Sequence, residues 1–560
     1  MSRRTTLLLA GLTMLVCAQG CSAPRDAAPT AGTRTRSAVD SLADEYVHDY
    51  FAYRPEDAVL TGAPYGDGSR VVDNSISSIA KWRTTEDGLL ARAVAINPDN
   101  LGERDWVTYG LLRENLEGSI GLRICKFELW TVDPSPHGWL SAYTEVADLQ
   151  PLGTDTLERN VVRRTAALPA FLDTEVVNLR AGLTQGLAAP KVLVHSVISQ
   201  IDDLLKEAPS ASAFAAGLKR DSAPQFKEQL VTVIGTELYP AMKRYRDFLE
   251  KEYLPKARTS VGLSAMPNGT ACYRASVRQN SSLDIAPDSI HRLGLAQVDR
   301  IATEMRTIAN RDFKTTDVPA LLRRLRTDTA FTFHTRDEIR DTARAAIARA
   351  QAALPKWFGI VPKGGVVVRD YPEFREVAGA IGENLAPEKA GRPSVFLINT
   401  YDPTHKPRAS FEALSFHEGV PGHGLQGATA LELGGAAHPI TRYFYTSGYV
   451  EGWALYAEGL AEEMGLYAAP LGRLGLRASQ SARASRLVVD PAIHTMGWTR
   501  DQAVTYMKAH TTWDDRLIEA EVNRYIAWPG QATSYMLGQM EFLTDRQMAK
   551  DSLGARFDIR

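Results

Sequence analysis

Cysteine is scarce, with four residues in a chain of 560. Cys17 and Cys21 fall in the first stretch, so the body keeps only Cys125 and Cys272. That excludes a disulfide-dense scaffold, and a chain of this length needs no staple. The body pair lies too far apart in sequence for a zinc knuckle. In an exported protein it fits either one disulfide or two buried thiols. Basic excess is also missing. The formal charge is −2 and 44% of residues are apolar, an ordinary globular balance that argues against nucleic acid as a partner. No G-x-S-x-G elbow occurs, which discounts a serine hydrolase. Tandem repeats, long interior linkers and low-complexity tracts are absent beyond the first few dozen residues.

The apolar segment Leu7 to Val16, which follows Arg3 and Arg4, is too short to span a bilayer. With its basic start it reads as a signal peptide, compatible with a twin-arginine or an ordinary secretory route. It ends Ala18-Gln19-Gly20-Cys21-Ser22. This resembles a bacterial lipoprotein cleavage site, with Ala18 where Leu is usual, and makes Cys21 the expected lipidated residue. The expected organisation is a signal peptide over 1–21, a flexible tether over 22–37 and a single large domain over 38–560. The expected location is the cell membrane, facing outside the cytoplasm through a lipid anchor, with secretion as the alternative.

Helical periodicity dominates the body. Ile290, Leu293, Val298, Ile301, Met305 and Ile308 form one apolar stripe. Thr335 with Glu338 reads as a capping box before a helix ending near Pro355. Phe226 to Leu254 reads as helical, with Pro240 a kink or break. Strand-like runs are few, chiefly Val366 to Val368 and Ser394 to Thr400. The fold class expected is mainly α, a large helical two-lobed body with a small sheet beside the helix that precedes His417.

The chemistry concentrates in His417-Glu418-Gly419-Val420-Pro421-Gly422-His423 and, further on, Glu451 to Glu458. Two imidazoles, an adjacent glutamate and a later glutamate are the components of a hydrolytic zinc site. In H-E-x-x-H on a helix, the two histidines share one face. Here they stand two residues further apart, which on an ideal helix turns His423 roughly 120° away from His417. Pro421 and Gly422 can deform that stretch and swing His423 back. The competing reading is a helix end at Pro421 with a surface histidine beyond it. The run from Ser394 to Thr400 serves either as an edge strand that a peptide extends or as plain core.

Several blocks in order resemble the bacterial family catalogued as domain of unknown function 885, whose members look like distant relatives of helical zinc peptidases. They are Pro267-Asn268-Gly269 with Tyr273, the helix from Ser289 to Met305, Ile398-Asn399-Thr400, His417 to Gln426 and Tyr449 to Tyr456. Val489 to His494 with Gly497-Trp498-Thr499, Arg524-Tyr525 and Pro529 to Ala532 complete the set. Together they cover most of residues 40 to 550. Family members commonly carry a second histidine directly after His423, where this chain has Gly424.

The resemblance implies Glu451 as the third ligand of one Zn2+ per chain, with Glu458 as runner-up or as a supporting carboxylate. Glu418 becomes the general base. His494, four residues after Asp490, and Tyr535 are candidates for stabilising the oxyanion. Asp490 would cap a helix begun by Pro491, orient His494, or both. Asn399 and Arg524 are candidate substrate contacts, Arg524 as a carboxylate anchor or as half of a structural ion pair. Two functions follow. One is an exported zinc-dependent hydrolase, a metallopeptidase cleaving short peptides. The other is a non-catalytic surface lipoprotein binding peptides or small ligands in the deep cleft that the resemblance implies for this site.

Overall fold

The structure is a computed structural model, described over residues 36–371, 376, 381–387, 389–434 and 437–560. The expected signal peptide, Cys21 and nearly all of the tether fall outside the described residues. Helices dominate, and the fold is mainly α with a small three-stranded sheet. Ala38–Arg560 forms one compact unit. None of its described helices is long and apolar enough to cross a membrane.

The stripe from Ile290 to Ile308 buries one face of helix Pro287–Phe313. That face lies along helix Pro470–Thr495, the most deeply buried helix in the body. Helix Arg336–Trp357 starts at Thr335, whose hydroxyl accepts from the Glu338 amide at 3.2 Å. The Glu338 carboxylate accepts from the His334 amide at 2.8 Å instead of from Thr335, so the box closes one residue early. The Pro240 region stays helical, with a π turn over Ile234–Leu238 just ahead of the proline. Widening the turn accommodates a residue that cannot donate.

The sheet has the order β1-β3-β2, with β1 Val366–Asp370, β2 Gly382–Leu385 and β3 Ser394–Ile398. β1 runs parallel to β3 and β2 antiparallel to it. The edge-strand expectation for Ser394 to Thr400 is therefore overturned. β3 is the central strand, its apolar run buried among Phe333, Ile347, Phe411 and Phe416. A continuous apolar run of this kind suits a strand covered on both faces. The sheet edge beside the metal-site candidates is β2.

Cys125 and Cys272 are joined as a disulfide with Cα atoms 4.8 Å apart. It ties the chain after helix Glu103–Leu122 to helix Gly269–Ser281. Persistent disulfides belong to oxidising compartments.

Candidate metal centre

Helix Phe411–Glu418 ends one residue after His417, and a new helix, His423–Glu432, begins on His423 itself. The spacing is thus met by a break with an immediate restart. Gly419 to Gly422 form the link. The Gly422 amide donates to the Phe416 carbonyl at 2.9 Å. A Cβ on Gly422 would lie 1.9 Å from the His417 carbonyl oxygen, so only glycine lets the chain double back this closely. The Trp453 indole donates to the carbonyls of Pro421 at 3.0 Å and Gly422 at 3.3 Å, which pins the link to helix Ser447–Glu463. From the other side Asn384 on β2 donates to the Glu418 carbonyl at 2.8 Å. At Gly424 a Cβ would come within 2.7 Å of Val366 Cγ2, so that position faces β1 and the packing. His423 faces the site.

Each of His417, His423 and Glu451 offers one donor atom, and these atoms all lie within 4.8 Å of one another. The Glu451 carboxylate is 3.6 Å from His417 Nε2 and 3.5 Å from His423 Nε2. The two rings stand nearly perpendicular, centres 4.9 Å apart. His417 Nδ1 bonds the fully buried Glu458 carboxylate at 2.9 Å, which leaves Nε2 to face the centre. His423 Nδ1 turns to the Gln426 side chain at 3.4 Å, with the same consequence. Two Nε2 atoms and a carboxylate oxygen converging, with one imidazole backed by a carboxylate, is a donor set that fits zinc.

Electrostatics point the same way. Burial opposes a charged His417 ring, but the Glu451 and Glu458 carboxylates outweigh it and hold the ring up at about 9. Glu451 loses by burial and gains more from the two histidines, which keep its carboxyl well below the usual range. The cluster therefore favours positive charge at its middle. Burial raises the carboxyl of Glu418, against the pull of His417 and His423. A carboxyl whose pKa is raised by burial, beside a metal-type donor set, is suited to accept and return a proton.

The Tyr535 ring stacks on His417, centres 6.5 Å apart and planes 14° apart. It sits in the first turn of helix Ser534–Leu553, which crosses helix Ser447–Glu463 at glycine on glycine. A Cβ on Gly452 would lie 2.5 Å from Gly538 Cα, and one on Gly538 would lie 2.0 Å from the Gly448 carbonyl. This close crossing sets Tyr535 against the helix that carries Glu451.

The other expected residues go elsewhere. His494 is fully buried. Its Nδ1 accepts from the Leu263 amide at 3.4 Å and its Nε2 donates to the Tyr525 carbonyl at 3.0 Å. Burial pushes its pKa down to about 3. A neutral ring with both nitrogens on backbone partners is a structural part. Asp490 caps nothing, because Pro491 lies inside the long helix Pro470–Thr495. Its Oδ1 accepts from the Tyr273 hydroxyl at 2.6 Å and the Gly530 amide at 3.0 Å, and no bond joins it to His494. Arg524 donates to both oxygens of Glu521, at 3.0 and 2.9 Å, and to Gln531, the ion-pair reading. Asn399 is buried, donating to the Glu376 carbonyl at 2.7 Å and accepting from the Tyr401 amide at 3.0 Å, which shapes the turn after β3.

Sequence reasoning passed over Asn384, Arg483 and Arg486. Arg483 stands 3.8 Å from Glu458. No motif marks these side chains, since what places them is long-range packing.

Residues 55–560 match the family described as bacterial protein of unknown function, DUF885, and the chain belongs to it. Two solved structures share the fold. The first is from Colwellia psychrerythraea and is described as a "putative lipoprotein". It is 25% identical, covers 93% of this chain and 94% of its own, and has a TM-score of 0.84. The second, from Shewanella oneidensis, is described in the same words with "of unknown function" added. It is 18% identical, covers 94% and 96%, and has a TM-score of 0.74. A search of the curated proteins finds no match.

Proposed function

We propose that the chain is an exported, membrane-anchored lipoprotein that hydrolyses short peptides at a zinc centre. The observation that carries this reading is the convergence of His417, His423 and Glu451 within 4.8 Å, with Glu418 next in chain to the first. His417 Nε2, His423 Nε2 and the Glu451 carboxylate would hold the ion, which would supply Lewis acidity and acidify water when bound. Glu418 takes the proton of the attacking water and hands it to the leaving amine. The Tyr535 phenol donates to the oxygen of the carbonyl under attack. Glu458 fixes the tautomer and orientation of His417.

The lipoprotein part draws on the description of the Colwellia protein, the Cys21 site and the disulfide between Cys125 and Cys272. Neither structural neighbour's description names an activity. The second reading is a surface lipoprotein that binds peptides or small ligands at this site without turning them over. Nucleic acid has no place in either.

Metal analysis of the purified protein and digestion of a peptide library, with zinc and with chelator, separate the two. About one zinc per chain, cleavage abolished by chelator, and loss of both in His417→Ala support the hydrolase. Metal-free protein that retains peptides without cutting them supports the binder.

A further inference from the structure

Tyr535 has a second neighbour besides His417. The Arg486 guanidinium carbon lies 4.3 Å from the centre of its ring. Arg486 is 5% exposed. Its Nε donates to the Tyr525 hydroxyl at 3.1 Å and its Nη2 to Glu521 at 2.8 Å. Its Nη1 is buried with no hydrogen-bond partner among the described residues. Glu521 is the carboxylate that Arg524 already holds with two bonds. Two guanidiniums therefore share one carboxylate. Asp490, one turn on from Arg486 along helix Pro470–Thr495, is taken by the Tyr273 hydroxyl and the Gly530 amide, with no partner for its other oxygen among the described residues. Burial pushes the Asp490 carboxyl up to about 7, so near neutrality it supplies only part of the missing charge.

Burying a guanidinium nitrogen without a partner is costly. The planar fork suits a carboxylate above other groups. We propose that Arg486, beside Tyr535, is an anion subsite for the free α-carboxylate of a short peptide, so that cleavage falls within about three residues of the peptide's C-terminal end. The position of the cut rests on the hydrolase reading, whereas the binding does not. Tyr535 touches both Arg486 and His417, and an extended residue spans about 3.3–3.6 Å. With the Tyr535 ring centre 4.3 Å from the Arg486 guanidinium carbon and 6.5 Å from the centre of the His417 ring, the subsite and the metal-type cluster are at most about 11 Å apart, a span of up to about three residues.

The test is calorimetric titration of Glu418→Gln protein, with and without added zinc, using an alanine tetrapeptide carrying either a free C-terminal carboxylate or an amide. The acid is expected to bind at least tenfold tighter. Arg486→Gln should bring the two within twofold, and Arg486→Lys should keep part of the preference. Equal affinities, or no binding of either form, overturn the subsite whether or not any Arg486 variant folds. A preference that survives in folded Arg486→Gln also overturns it, since another group then holds the carboxylate. Cleavage is scored separately on the wild type by mass spectrometry. Acid-selective binding without cleavage supports the subsite and removes the hydrolase reading. Cleavage indifferent to the terminus does the reverse.

Discussion

His417 gives Nδ1 to the Glu458 carboxylate at 2.9 Å and turns Nε2 towards Glu451, 3.6 Å away. One helix, Ser447–Glu463, therefore holds this imidazole from both sides. Glu458→Gln should keep a bond to Nδ1 but remove the charge that favours one tautomer. Metal affinity is expected to fall by roughly 10- to 100-fold, the usual effect of losing such a partner. A competition titration with a chelator measures it, and unchanged affinity rejects the assigned role.

Glu418→Gln separates binding from chemistry. An amide cannot accept the proton, so turnover should drop by about 10²–10⁴-fold while the zinc content stays at the wild-type level. Peptide cleavage rates set beside metal analysis of the same sample decide it. Retained turnover would remove Glu418 as the base.

Tyr535→Phe removes the hydroxyl and leaves the ring on His417 and under Arg486. The expected result is a fall in kcat of about 10²–10³-fold, the cost of one oxyanion donor, with KM little changed. A loss confined to KM would make the phenol a ground-state contact.

Asp490 and His494 offer a test independent of metal. In the folded chain Asp490 sits at about 7 against its ordinary 3.8, and His494 at about 3 against 6.5. Between about pH 4 and 6.5 the fold keeps a proton on Asp490 that the unfolded chain has lost. Over the same window it lacks one on His494 that the unfolded chain has gained, and the two slopes cancel. Asp490→Asn keeps an acceptor for Tyr273 and Gly530 and leaves the histidine alone. The variant's stability, complete above pH 6.5, should then fall with acidification at about 1.4 kcal/mol per pH unit. Near pH 8 it should exceed the wild type, because no buried acid is forced to ionise. Thermal midpoints from pH 4.5 to 8 report both effects, and parallel curves would count against the assignment.

Legibility in the sequence followed the range of the interactions. The stripe of helix Pro287–Phe313 and the apolar run of β3 are local patterns and could be read directly. β2, Gly-Glu-Asn-Leu, has no such pattern, because its place comes from pairing with β3. Without β2 in view, the edge and core readings of that run could not be told apart. Pro421 and Gly422 marked the break, while the direction in which the chain re-enters depends on the distant indole of Trp453. Asp490 and His494 looked like partners at one helical turn's spacing. Their real partners lie on other elements, two of them, Tyr273 and Leu263, more than two hundred positions away, as no spacing rule can register. Arg486 was invisible for the same reason, since burial and a missing partner are properties of the packed chain.

The glycine contact between Gly452 and Gly538 works as a gauge of fixed thickness between a carboxylate and a phenol. Neither residue belongs to the donor set, yet a single methyl at either would wedge the two rods apart and carry Tyr535 off its neighbour. Since a displacement of about 1 Å can cost 10²-fold in rate, the tolerance of this centre is written partly in two residues that have no side chain at all.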